Sequence, residues 1–177
     1  MIKLTRTAIA LALLALGGCA ATVQKSADSR PIVVGQESTK SFVLNMTGGK
    51  DATDSKDWEP FKGLWRQALK EDASAIGASF SAQEGEPRST GEPGTLLVVH
   101  IADFRYVSTG ARYGFGIMTG NAFVQAHVSY RDLKTGDVWG ERDYDTSSTA
   151  WQGVFSAMTD KQVRAICQQI VTDVAPH

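Results

Sequence analysis

The side chains of this chain that could do chemistry are few and widely spaced. Gly110, Gly114, Gly116 and Gly120 surround Arg112 and Phe115 within eleven residues. Glycines at that density let successive backbone N–H groups turn inward as a nest for an anion or a polymer carboxylate, with the guanidinium adding charge. The same stretch serves equally as a sheet connection that needs positive φ, with Phe115, Ile117 and Met118 as interior plugs. It is neither a Walker loop, since no Gly-Lys-Ser or Gly-Lys-Thr follows, nor a dinucleotide fingerprint, since a strand pattern and not a helix comes next.

Glu141, Asp143 and Asp145 alternate along one strand face, where paired carboxylates could exchange protons or simply solubilise an exposed sheet. His100, His127 and His177 have no metal-binding spacing, so no metal and no cofactor is expected. No serine stands in a Gly-x-Ser-x-Gly elbow, which leaves Ser-His-Asp hydrolysis without an anchor. Trp139 and Trp151, with Tyr144, lie in or beside a hairpin; exposed, they would stack on a sugar or anchor a protein interface, and buried they are core.

The elements that must position these groups follow from hydrophobic period. Ser41 to Met46 reads as a strand, and Phe61, Leu64, Trp65, Ala68 and Leu69 recur at helical spacing from about Trp58 to Ala73, behind Asp57 as N-cap. Ala75 to Gln83 and Thr95 to Val107 read as strands, the second apolar on both faces and so central. Ala122 to Arg131 alternates cleanly, Lys134-Thr135-Gly136 supplies a turn, and Val138 to about Ser148 returns as its hairpin partner. Val163, Ile166, Cys167, Ile170, Val171 and Val174 form one stripe of a last helix, opened by Thr159 and Gln162 as a capping box. The expectation is an α+β fold: a mainly antiparallel sheet of four to five strands with two helices on one face, in the order β-α-β-β-β-β-α. Gly48 to Ser55 and Gly85 to Gly94 are expected to be exposed loops.

The amino terminus carries an address. Lys3 and Arg6 precede the apolar run Ala8 to Leu16, which is about half as long as a stable bilayer span and reads as a removable leader. Leu16-Gly17-Gly18-Cys19 resembles the lipobox of bacterial lipoproteins. That resemblance implies cleavage before Cys19, acylation of its thiol, and a multi-chain lipid anchor, each buried methylene contributing roughly 0.8 kcal/mol. Ala20 in place of Asp implies, by the enteric sorting rule, the outer membrane, with the domain facing the periplasm. The resulting division is a signal peptide over 1–18, a lipidated cysteine and flexible tether over 19–40, and one periplasmic domain over 41–177. With Cys19 acylated, Cys167 has no intramolecular partner and should be buried. The mature chain has 16 basic and 19 acidic residues, a net charge of −3, which gives nucleic acid no electrostatic footing.

The central segment resembles an uncharacterised family of bacterial lipoproteins, a domain of unknown function. The residues that carry this are Gly110-Ala111-Arg112, Gly114-Phe115-Gly116 with Gly120, and the hairpin Asp132-Leu133-Lys134-Thr135-Gly136. The interval from Gly116 to Gly120 is longer than that family's pattern. The resemblance implies no catalytic residue. A more distant likeness in element order is to periplasmic lipoprotein domains that activate peptidoglycan synthases or build the curli channel. The expectation is a non-enzymatic envelope lipoprotein that binds a protein or peptidoglycan through Gly110, Arg112, Gly114, Phe115, Gly116, Gly120 and the adjoining strand edge. A cell-wall or lipid hydrolase with an unfamiliar site, or a subunit of an oligomeric export or assembly channel, are the alternatives.

Overall fold

The computed structural model describes residues 23–25, 31–106, 122–147 and 158–174. Cys19, the glycine-rich residues from Gly110 to Gly120, Trp151 and His177 lie outside them.

Six strands form one sheet: β1 (Val23–Lys25), β2 (Ser41–Gly48), β3 (Ser79–Gln83), β4 (Thr95–Arg105), β5 (Phe123–Asp132) and β6 (Val138–Ser147), in spatial order β1-β6-β5-β4-β2-β3. Among the described residues, three α-helices accompany them: α1 (Lys50–Thr53), α2 (Trp58–Ala75) and α3 (Met158–Val174). The α+β class is as expected, but the sheet is larger and mixed. β1, β6, β5 and β4 pair antiparallel, whereas β2 runs parallel to both β4 and β3. The reason is connectivity. A strand that returns through a helix re-enters the sheet in its original direction, so β2-α2-β3 is a parallel unit, and residues 84–94 then carry the chain back to begin β4.

The stretch expected to be tether also supplies structure. Val23–Lys25 adds to the β6 edge, and Gln36–Lys40 forms a 3-10 helix leading into β2. Three residues are too few to show a period. Likewise Lys50–Thr53 is a single helical turn within the expected loop 48–55.

Both long helices lie on one face, and their apolar stripes fill the core. Trp58, Phe61, Trp65, Ala68, Leu69 and Ala73 of α2 meet Val163, Ile166, Cys167, Ile170, Val171 and Val174 of α3 over Leu97, Val99, Ile101, Val124 and Val128. Phe61 stacks on Phe104, with ring centroids 4.1 Å apart. Cys167 is a fully buried free thiol, as its stripe requires. The opposite sheet face has a smaller cluster, Val43, Leu96 and Leu133, with Val98 beside it.

One expected cap works differently: Asp57 stands at the N-cap of α2 but makes no side-chain cap bond. At the start of α3, Gln162 donates to the Ala122 carbonyl at 2.9 Å and Thr159 to the Arg105 carbonyl at 3.4 Å, so both side chains tie the helix to strand ends. The hairpin turn is as read: Gly136 has φ +89°, open to glycine at no steric cost, and its N–H donates to Asp132.

Candidate functional site

Strand β6 is the element on which the candidate groups converge. Its register to β5 slips once, because Gly140 faces Tyr130 and Val138 faces Arg131, leaving Trp139 as an extra residue. Such a bulge re-aims the side chain it carries. Trp139 is half-buried against the main core, and beside it a cleft of about 500 Å³ opens, walled by Pro31 and Ile32 on one side and Val138 to Arg142 on the other. Val138 is 52% exposed and Val33 82% exposed; with Ile76 they are the only exposed large aliphatic side chains among the described residues.

The cleft lies along the margin of β6 to which β1 adds. β1 pairs with Tyr144, Asp145 and Thr146, three of the ten residues of β6. Side chains fasten it there. Val23 packs against the core. Lys25 Nζ reaches Asp173 Oδ1 of α3 at 2.5 Å, and Tyr144 donates to Asp173 Oδ2, also at 2.5 Å. The Tyr130 and Tyr144 hydroxyls hydrogen-bond to each other inside the core. Burial raises both phenols above the ordinary tyrosine range, and for Tyr144 the neighbouring Tyr130 and Asp173 push the same way. Tyr144, a candidate stacking residue from the sequence, is thus a fully buried member of a polar chain.

The helix-free face of the sheet carries a polar row set by register. Thr47, His100, His127 and Asp143 stand opposite one another across β2, β4, β5 and β6. Thr47 and His100 share a hydrogen bond of 3.1 Å. His127 Nδ1 lies 2.7 Å from Asp143, and its Nε2 is 3.8 Å from Glu141. The three acids do share an exposed face as their alternation required, and two of them, Glu141 and Asp143, flank an imidazole. A hollow of about 230 Å³ beside them is lined by Ala102, Gln125, Ala126, His127, Asp143 and Asp145. It forms where β4 bulges at Ala102. Among the described residues, no set of three His, Cys, Asp or Glu side chains is arranged to hold a metal.

The expected glycine-rich site, Gly110 to Gly120, lies outside the described residues. The chain leaves β4 at Arg105 and enters β5 at Phe123, opposite Ser147, and Val138 is at the other end of β6. Sequence reading singled out Trp139 but could not find the cleft, whose second wall comes from Pro31 and Ile32 in the presumed tether. The sole signal there was the short run Ile32-Val33-Val34.

No family model and no curated protein matches the chain. Among solved structures, a PelC dodecamer from Paraburkholderia phytofirmans superposes with a TM-score of 0.52 at 13% identity, over 88% of this chain and 99% of that one. The Xanthomonas campestris protein XCC0632, of family DUF330, gives 0.44 at 9% identity over 75% and 81% of the two chains. A protein of Caulobacter crescentus CB15 provisionally described as a lipoprotein gives 0.36 at 16% identity over 73% and 85%. The first of these shows a shared fold. The other two overlap too little to carry an argument.

Proposed function

We propose that this chain is a lipid-anchored envelope protein, acylated at Cys19, whose domain works by binding a protein partner and not by catalysis. The observation that supports this is the cleft that Pro31 and Ile32 form with Val138 to Arg142 of β6. There the half-buried Trp139 and the exposed Val138 come together. Large aromatic side chains in partly desolvated pockets are the usual anchors of protein interfaces. The glycine-rich residues from Gly110 to Gly120 stay candidates from the sequence alone.

The test is a photoreactive phenylalanine analogue at Val138 in cells. It should give a covalent adduct with a protein that is absent when the analogue replaces Thr135 and is lost on Trp139→Ala. No adduct at Val138, together with co-sedimentation of the purified chain with peptidoglycan, would replace the protein partner by the cell wall. Turnover of peptidoglycan fragments or model esters would replace binding by hydrolysis.

A second reading, assembly with copies of itself, is favoured by the shared fold with a protein that crystallised as a dodecamer. Particle mass in detergent tests it, and a strict monomer would remove it.

A further inference from the structure

The pairing of β1 limits how far Cys19 can stand from the sheet. In the antiparallel register Val23 faces Thr146 and Lys25 faces Tyr144, so the chain enters the sheet at the Thr146 end of β6. Ser147 is opposite Phe123, and Phe123 is opposite Arg105, which places Val23, Ser147, Phe123 and Arg105 along one end of four adjacent strands. Cys19 precedes Val23 by four residues. A fully extended chain covers at most about 3.6 Å per residue, so an acyl-bearing sulfur at Cys19 can stand no more than about 14 Å along the chain from the sheet. Were the tether to run to Lys40, the reach would be about 76 Å and the domain could take any orientation.

We infer that the end of the sheet formed by Val23, Arg105, Phe123 and Ser147 rests on the phospholipid headgroups, held there by β1. This rests on the lipid anchor proposed above. The chemistry of that end suits the surface. The Arg105 guanidinium, exposed, lies 5.7 Å from the centre of the half-buried Phe123 ring, an arrangement of cation over aromatic that is at home between water, phosphate and acyl chains. Asp103 and Asp145 lie one step further into the sheet, both opposite Gln125. The hold on β1 is more than three backbone pairings, because Val23 packs on the core and Lys25 is clamped by Asp173. The Val138 end of β6 and the Trp139 cleft then point away from the bilayer, separated from the membrane end by a ten-residue strand, roughly 30 Å.

The experiment uses the full chain, with acylation read by intact mass, in vesicles of phosphatidylethanolamine and phosphatidylglycerol bearing a headgroup acceptor dye. A donor is placed on Ser147→Cys or, at the hairpin, on Thr135→Cys; Cys167 is buried and stays unlabelled. Energy transfer should be several-fold stronger from position 147 than from 135. Lys25→Glu, which sets two negative charges against each other at Asp173, should free β1 and abolish the difference while the acyl mass is retained. Equal transfer from both positions in the acylated chain overturns the placement and leaves the anchor standing. Persistence of the full difference in Lys25→Glu overturns the role of β1, and a mass without acyl groups overturns both anchor and placement.

Discussion

Lys25, in the first strand, and Asp173, in the last turn of the last helix, meet at 2.5 Å across 148 residues of sequence. Asp173 is nearly buried and its second oxygen receives the Tyr144 hydroxyl, so the contact closes a polar chain that begins at Tyr130 deep in the core. Asp173→Ala should destabilise the domain by about 1–3 kcal/mol, because it strands a buried phenol without its acceptor. Lys25→Ala, whose side chain keeps 29% of its exposure, should cost about 1 kcal/mol or less. Denaturant titration of both variants checks the order; a larger loss at Lys25 than at Asp173 would contradict it.

Two glycines should respond to alanine with opposite sign. A Cβ at Gly94 would stand 2.7 Å from Leu133 Cδ2 and 3.0 Å from the Ser41 carbonyl, so Gly94→Ala is expected to destabilise by about 1–3 kcal/mol. Gly63 is exposed in α2 with nothing within 4 Å of the added carbon, and Gly63→Ala should stabilise by about 0.8–1 kcal/mol through helix propensity. Thermal melts of the pair decide the matter.

The same periods that located α2, α3 and the β5–β6 hairpin explain why other parts were hidden. Phe61, Trp65, Ile166 and Cys167 announce themselves because each helix buries one stripe, and Val124 to Tyr130 because one sheet face is dry. β1 has only Val-Gln-Lys, and its place depends on Asp173 and Thr146, far away in sequence. β3, Ser-Phe-Ser-Ala-Gln, is a mostly exposed edge whose parallel direction comes from the helix before it. Thr159 and Gln162 have the spacing of a cap, and nothing local in sequence shows that they also bond the distant Arg105 and Ala122 carbonyls. The cleft was invisible for the same reason: no local pattern says that Ile32 will face Gly140.

The bridge between the helices makes stability depend on pH at the acid end. Arg164 of α3 hydrogen-bonds Glu71 of α2 and holds its carboxyl below the ordinary value of 4.5, with Gln67 assisting. A group whose folded value is depressed contributes above its unfolded value and loses that contribution as pH falls through the folded one. Native chain should therefore lose stability on acidification below 4.5 more steeply than Arg164→Gln, with the two curves separated by a constant gap at higher pH. Parallel curves throughout the acid range would refute the assignment.

Burial raises the Cys167 thiol well above its usual range, with Asp72 adding to the effect. A maleimide should modify it only as fast as the domain opens, and promptly in denaturant. Rapid labelling of native protein would mean that the α3 stripe does not face the core.

The clamp between Lys25 and Asp173 also sets an order of events. The amino-terminal segment can be gathered in only after the carboxyl-terminal helix has been made and packed, since its docking surface is built from the last two elements. A chain cut short before α3 would have its first strand loose and open to proteolysis. Seating of the first strand and completion of the fold are thereby linked at opposite ends of one polypeptide.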